Sequence, residues 1–118
     1  FLLKNKTKKI IPLSLLKNKI IKKLLSNSKI LNYGLILKKN VKNYIPSKNF
    51  CILEKPLAIL YILSIFEISK IEKLIFVGFK GYEKDYPFQD NTQEYLSSFT
   101  KRNPAIQTKI IKPSKYKL

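Results

Sequence analysis

Short apolar runs alternate with longer helical segments along this chain, and that alternation limits its possible folds more than any other feature. Residues 74–77, Leu-Ile-Phe-Val, form a continuous apolar run between polar turns, which is typical of a central parallel strand. Residues 57–66 form a longer apolar run interrupted only by Ser64, and Pro56 before it suits the first turn of a helix that runs to Ser69. Because this predicted helix is apolar nearly all round, we expect it to be buried on every side.

The rest of the chain continues the same alternation. Ser14 is a candidate N-cap for an amphipathic helix whose lysines face solvent. The predicted strands are short apolar runs, and the predicted helices carry apolar residues three or four positions apart. In chain order the elements are a strand over 10–13, a helix over 15–25, a strand over 29–37, a polar connection over 38–49, the helix and strand described above, a helix over 93–101 and a strand over 106–111.

This order predicts an α/β protein. Alternating strands and helices indicate a parallel sheet with helices on both faces, joined by right-handed crossovers. We therefore expect a Rossmann-like three-layer α/β/α fold with a small, mostly parallel sheet of about four strands and about three helices. The length of 118 residues suits one domain, with residues 1–9 as a basic lead-in. Because the chain starts with Phe1 and contains no Met, we expect it to be a C-terminal fragment of a longer protein.

The residue types that the chain lacks restrict its chemistry. It has no histidine and a single cysteine, Cys51, so zinc, haem and iron–sulfur sites and histidine-based nucleophilic pairs are not expected. We expect Cys51 to pack in the core, and we expect no metal, no cofactor and no catalysis by this chain alone. No signal peptide is evident and the longest apolar run is too short to cross a bilayer, so we expect a cytoplasmic location without a membrane span.

The formal net charge of +17 raises the question of an anionic partner. Residues 1–50 contain many lysines and no acidic residue, and such a surface could contact an acidic protein, nucleic acid or anionic lipid. The abundance of Lys, Asn and Ile is also typical of an AT-rich genome, which leaves solvated lysine faces as the alternative. Nucleic acid is disfavoured because only one of the 24 basic residues, Arg102, is an arginine, the side chain that binds phosphates and bases bidentately.

Three polar segments follow predicted strands, at the sheet edge where open α/β proteins bind ligands. Residues 78–82, Gly-Phe-Lys-Gly-Tyr, contain two glycines that allow a sharp turn and close approach to a ligand, but the third glycine of a dinucleotide site is missing. Residues 85–90 contain acids that could bind sugar hydroxyls or a cation, and residues 113–116 combine a hydroxyl, an amine and a phenol. The alternatives are a simple turn, solvated charges and a C-terminal tail. The candidate ligand-binding residues are Gly78, Lys80, Gly81, Tyr82, Asp85, Gln89, Ser114 and Tyr116.

Residues 29–118 also resemble a known bacterial domain. The apolar helix over 56–66, the run Gly78-Phe79-Lys80-Gly81-Tyr82 and the ending Pro113-Ser114-Lys115-Tyr116 are similar to segments of the C-terminal domain of HMG-CoA-lyase-like (pyruvate-carboxyltransferase-like) aldolase proteins. Those proteins occur among genes of surface-polysaccharide biosynthesis, such as lipopolysaccharide or capsule. One departure is that Lys80 stands where the family has an acid, which inverts the charge at the expected site.

The resemblance implies a Rossmann-like fold and an accessory role beside an N-terminal catalytic domain or a partner subunit, with a sugar or nucleotide sugar as ligand. A similar strand-end glycine pattern occurs in sialyltransferase-like and motility-accessory-factor-like glycosyltransferases. A glycosyltransferase-like domain that binds a nucleotide sugar is therefore the alternative. A basic nucleic-acid-binding module is the second alternative.

Overall fold

A computed structural model of the chain describes residues 8–26, 28–81 and 89–118. The described residues form three α-helices, one 3₁₀ helix and seven strands, so the predicted α/β class is confirmed. The chain divides into two compact units, Phe1–Pro56 and Leu57–Leu118. In chain order the elements are β1 (Lys9–Ile11), the 3₁₀ helix (Leu13–Lys17), α1 (Lys19–Leu24), β2 (Ile30–Asn32), β3 (Gly34–Leu37), β4 (Tyr44–Pro46), β5 (Phe50–Leu53), α2 (Ala58–Ile68), β6 (Lys73–Phe76), α3 (Gln89–Arg102) and β7 (Gln107–Ile110).

The first unit contains two small sheets that share one extended segment. β1 pairs in parallel with β2, and β5 lies between β3, which is parallel to it, and β4, which is antiparallel. Only Tyr33 separates β2 from β3, and its N–H donates to the carbonyl of Ile11 at 3.3 Å. The next N–H, of Gly34, donates to the carbonyl of Asn49 at 2.8 Å. The segment 30–37 therefore pairs with β1 along its first half and with β5 along its second half.

The three-stranded sheet of the first unit has one buried face. Tyr44, Cys51 and Leu53 on that face are at most 1% exposed, and Cys51 packs in the core as expected. On the opposite face Ile36 and Ile45 both pair with the residue at position 52 and are each 47% exposed. Strand alternation thus gives this sheet one face in the core and one apolar face that solvent reaches.

The second unit is built on a strand–helix–strand arrangement. β6 and β7 pair in parallel, with Phe76 opposite Ile110, and α3 connects them. α2 precedes β6 and contacts α3, and an ion pair of 2.9 Å joins Glu67 of α2 to Arg102 of α3. The buried apolar residues of this unit are Leu57, Ile59, Leu60, Leu63, Leu74, Tyr95, Leu96, Phe99 and Tyr116.

Two of the predicted N-terminal elements are each divided in two. The helix predicted over 15–25 is a 3₁₀ helix followed by α1, because Asn18 interrupts the helical backbone between them. The Asn18 Oδ1 accepts from the N–H groups of Ile20 at 2.9 Å and Ile21 at 3.3 Å. Asn18 is therefore the N-cap of α1, and the prediction that Ser14 caps the helix is wrong. The strand predicted over 29–37 likewise becomes β2 and β3.

The predicted polar connection over 38–49 contains a strand, and a further strand follows it. β4 and β5 form an antiparallel hairpin in which the Ser47 N–H donates to the carbonyl of Phe50 at 2.9 Å. Pro46 is tolerated because β4 is an edge strand. The described strands therefore number seven, in sheets of two, three and two strands, where the sequence predicted about four in one mostly parallel sheet. The expectation that residues 1–118 form a single domain stays a prediction.

The two longer helices also differ from expectation. α2 buries Ile59, Leu60, Leu63 and Ser64, but Ile62 is 39% exposed, so the expectation of burial on every side is wrong. α3 begins at Gln89 rather than at residue 93, so its first turn includes the end of the predicted acidic loop. Neither difference changes the order of the helices and strands.

Candidate ligand-binding site

The candidate site lies at the carboxyl end of β6, where the chain leaves the sheet in a tight turn. Gly78 has a φ of +70° and Gly81 a φ of +107°, conformations that residues with a Cβ rarely adopt. The Lys80 N–H donates to the carbonyl of Gly78 at 3.0 Å, which closes a turn of three residues. The backbone of residues 78–81 therefore favours glycine at both positions.

The C-terminal tail packs on this turn. The Lys115 N–H donates to the carbonyl of Lys80 at 3.0 Å. The buried ring of Tyr116 lies 5.1 Å from the ring of Phe79, and a Cβ on Gly81 would lie 3.2 Å from the Tyr116 Cε2 atom. The structure thus brings together two segments that the sequence predicted separately, the glycine turn and the tail after β7.

A second set of hydrogen bonds holds the tail against α3. The Gln93 Nε2 donates to the carbonyl of Lys117 at 2.6 Å, and the Lys117 N–H donates to the Gln93 Oε1 at 2.9 Å. Closer to β7, the Tyr116 N–H donates to the Ser114 Oγ at 3.2 Å, and the Lys112 Nζ donates to the carbonyl of Ser114 at 3.3 Å. The tail is therefore fixed by both the turn after β6 and the helix that follows it.

An open apolar groove of about 390 Å³ lies beside the turn. It runs between α2 and β6 and reaches Val77, Gly78 and Phe79. Val77 is 75% exposed, and no atom lies within 4 Å of the position that a Cβ on Gly78 would occupy. A ligand in the groove could therefore approach the backbone of the turn closely, and the volume is in the range of small-molecule sites.

A smaller depression of about 250 Å³ lies along β7 and the tail. It is lined by the exposed lysines Lys109, Lys112 and Lys117 together with Tyr116. Lys80 of the turn is also exposed. Tyr116 lines this depression while its ring packs against the turn after β6. The surroundings of the tail therefore carry several ammonium groups that could bind an anion.

The structure brings together some of the predicted site residues and not others. Gly78, Lys80 and Gly81 come together with Ser114 and Tyr116 in the arrangement described above. Tyr82 and Asp85 lie outside the described residues, and Gln89 is the first residue of α3. Sequence reasoning missed the contributions of Phe79 and Gln93. For Phe79 a signal existed, since Phe76, Phe79 and Tyr116 are aromatic residues at the ends of the two strands.

The described residues of the site offer groups that could bind a ligand. Among residues 8–26, 28–81 and 89–118, no three His, Cys, Asp or Glu side chains are grouped to hold a metal ion. Within the same part of the chain, no helix has the length and apolar character needed to cross a membrane. What the turn and the tail offer is backbone groups, one phenol ring and lysine ammonium groups.

Comparisons with known proteins identify no relative of this chain: no family model, no curated protein and no solved structure matches it. The resemblance to the C-terminal domain of aldolase-like proteins therefore stays a prediction.

Proposed function

We propose that the chain is a non-catalytic accessory domain that binds a phosphate-bearing sugar for an aldolase-like protein of surface-polysaccharide biosynthesis in the cytoplasm. The observation that carries the proposal is the packing of residues 114–116 on the turn of residues 78–81. Both segments follow parallel strands at their carboxyl ends, which is where Rossmann-like sheets bind ligands. In this proposal β6 and β7 belong to such a sheet, α3 is the helix that connects them, and an N-terminal domain or a partner subunit supplies the catalytic residues.

The charge of the turn supports an anionic ligand. Lys80 stands where the aldolase-linked domains carry an acid, and its side chain is exposed beside the tail. Lys112 and Lys117 add further positive charge along the tail. Ammonium groups bind phosphate as point charges, whereas an acid at position 80 would favour hydroxyl groups or a cation. The ligand of this chain is therefore expected to carry a phosphate.

The apolar groove supports a ligand with a second, less polar part. Ile59, Ile62 and Phe66 of α2 line it, and it opens on the turn at Gly78. A sugar ring or a base can lie on such side chains while its phosphate lies outside the strand ends. The groove and the lysines therefore suit a small two-part molecule.

The proposal is tested by calorimetric titration of the chain with inorganic phosphate, sugar phosphates, nucleotide sugars and the matching neutral sugars. We expect saturable binding of a phosphate-bearing sugar that Lys80→Asp weakens by about tenfold or more. Lys73→Asp is the matched control, because it makes the same charge change at an exposed residue at the opposite end of β6, and it should bind as the unchanged chain does.

Two results would change the assignment. Binding of nucleotide sugars with no response to simple sugar phosphates would favour the glycosyltransferase-like alternative, since the base would then be required. Absence of binding by every phosphate-bearing compound, with the chain folded by circular dichroism, would refute the proposed site.

A further inference from the structure

Residues 13–24, named here the amphipathic segment, expose apolar side chains. The segment comprises the 3₁₀ helix, Asn18 and α1, and no residue of these two helices is buried, although the structure describes all of them. Ile20 is 70% exposed, and Leu24 lies one helical turn further on the same face of α1. Leu13 and Leu15 are exposed in the preceding 3₁₀ helix. Single exposed apolar residues are normal on a protein surface, but four large aliphatic side chains on one short segment indicate an interaction surface.

The same segment carries only positive charge. Its lysines are all exposed, and residues 8–53 contain no acidic residue that could neutralise them. The side-chain cap by Asn18 fixes the start of α1, so the charged and apolar groups are held on one folded segment. The lysines are Lys17, Lys19, Lys22 and Lys23.

We propose that the amphipathic segment binds the surface of an anionic lipid bilayer. Its lysines lie at the lipid phosphates, and Leu13, Leu15, Ile20 and Leu24 enter the boundary between headgroups and acyl chains. The segment lies along the surface and does not cross the bilayer. This inference is independent of the proposed function, since the sugar site is built entirely from the second unit.

Lipid fits these side chains better than nucleic acid does. Nucleic acid offers phosphates to lysines, but exposed aliphatic groups gain nothing from a phosphodiester surface. The segment contains no arginine and no aromatic residue, and these are the side chains that stack on bases. Only a partner with both an anionic surface and an apolar interior gives all four aliphatic side chains a role.

The test is co-sedimentation of the full chain with vesicles of phosphatidylglycerol and phosphatidylcholine, or of phosphatidylcholine alone. We expect binding to the anionic vesicles and little to the neutral ones, with affinity that falls as salt screens the lysines. Replacing both Lys22 and Lys23 by Gln should lower the partition coefficient by about fivefold per lysine. The double substitution Ile20→Gln and Leu24→Gln should lower it by about tenfold while keeping the charge, and Gln retains good helix propensity.

Matched variants make the test specific to the segment. Lys38→Gln with Lys39→Gln removes equal charge from an exposed turn of the same unit, and Ile36→Gln with Ile45→Gln removes two isoleucines of the sheet that are each 47% exposed. Both controls should lose less than half as much binding as the segment variants. Equal losses would show unspecific charge or apolar attraction and overturn the proposal. So would vesicle binding that ignores Ile20 and Leu24, or tight binding of an oligonucleotide with no vesicle binding.

Discussion

The described residues contain two strand–helix–strand arrangements of the same parallel connectivity, one in each unit, and they are built very differently. β1 and β2 have three residues each, and α1 between them buries no side chain. β6 and β7 have four residues each, and α3 between them buries Tyr95, Leu96 and Phe99. Two arrangements with the same connectivity can therefore have cores of different size. The burial of the connecting helix decides how much apolar surface each arrangement removes from water.

The difference in burial corresponds to a difference in what each arrangement can do. A helix that buries nothing leaves Ile20 and its lysine neighbours available to an external surface. A helix that packs through Leu96 and Phe99 is held firmly enough for Gln93 to fix the C-terminal tail. The first arrangement is thus suited to contact with a large surface, and the second to a defined small-molecule site.

The difference in burial between α1 and α3 is tested most strongly by truncating one leucine in each helix. Leu96→Ala in α3 removes a fully buried side chain, and we expect it to destabilise the second unit by about 3 kcal/mol through lost burial and a new cavity. Leu24→Ala in α1 removes a side chain that is 44% exposed, and we expect a loss below about 1 kcal/mol. Hydrogen exchange of the β6 and β1 amides, respectively, measures the opening free energy of each unit.

A similar loss for both leucines would mean that α1 contributes to a core as α3 does. The comparison between the two arrangements would then fail. Leu118→Ala, at an exposed C-terminal residue, controls for the general effect of removing a leucine.

The turn after β6 allows a second test, between two glycines with different surroundings. Gly81→Ala combines a φ of +107° with a Cβ 3.2 Å from the ring of Tyr116, so we expect a loss of about 2 kcal/mol. Gly78→Ala has a φ of +70° but open space around its Cβ, and we expect a loss of about 1 kcal/mol. Urea denaturation followed by tyrosine fluorescence measures both, and equal losses would show that the tail does not pack tightly on the turn.

The sequence predicts the elements of the second unit better than those of the first. β6 and α2 come from long or continuous apolar runs, and both lie within one or two residues of their predicted positions. β4 was missed because Tyr44, Ile45 and Pro46 form a run too short to distinguish from a loop. The break at Asn18 was missed because its side chain competes for backbone N–H groups, which an apolar periodicity does not reveal.

The candidate site was only partly predictable from the sequence, because some of its features are local and others depend on contacts between distant residues. The glycine spacing indicates a turn at Gly78 and Gly81, since their conformations are local. The packing of Tyr116 on that turn depends on the register of β6 with β7, which joins residues far apart in the sequence. The two hydrogen bonds between Gln93 and Lys117 depend on the same tertiary arrangement.

A third substitution, at the residue that links α3 to the tail, should have a smaller effect on stability. Gln93→Glu keeps an acceptor for the Lys117 N–H but removes the donor to the Lys117 carbonyl. We expect the tail to lose about 1 kcal/mol of local stability, measured as faster hydrogen exchange at residues 116 and 117. Glu94→Gln, at the exposed neighbouring position, should leave that exchange unchanged. Unchanged exchange in Gln93→Glu would show that the turn after β6 alone holds the tail.

The two units also differ in charge, and the substitution that tests this difference has the smallest expected effect on stability. In the second unit Glu67 and Arg102 join α2 to α3 at 2.9 Å, with both side chains partly exposed, whereas residues 1–53 contain no acid for an ion pair of this kind. Arg102→Gln should therefore cost about 0.5 kcal/mol at low salt, and the cost should vanish near 1 M NaCl, where screening acts within a few ångströms. Stability of the first unit should instead rise with salt, because its lysines repel one another. Hydrogen exchange at low and high salt measures both trends, and parallel trends in the two units would contradict the contrast drawn between them.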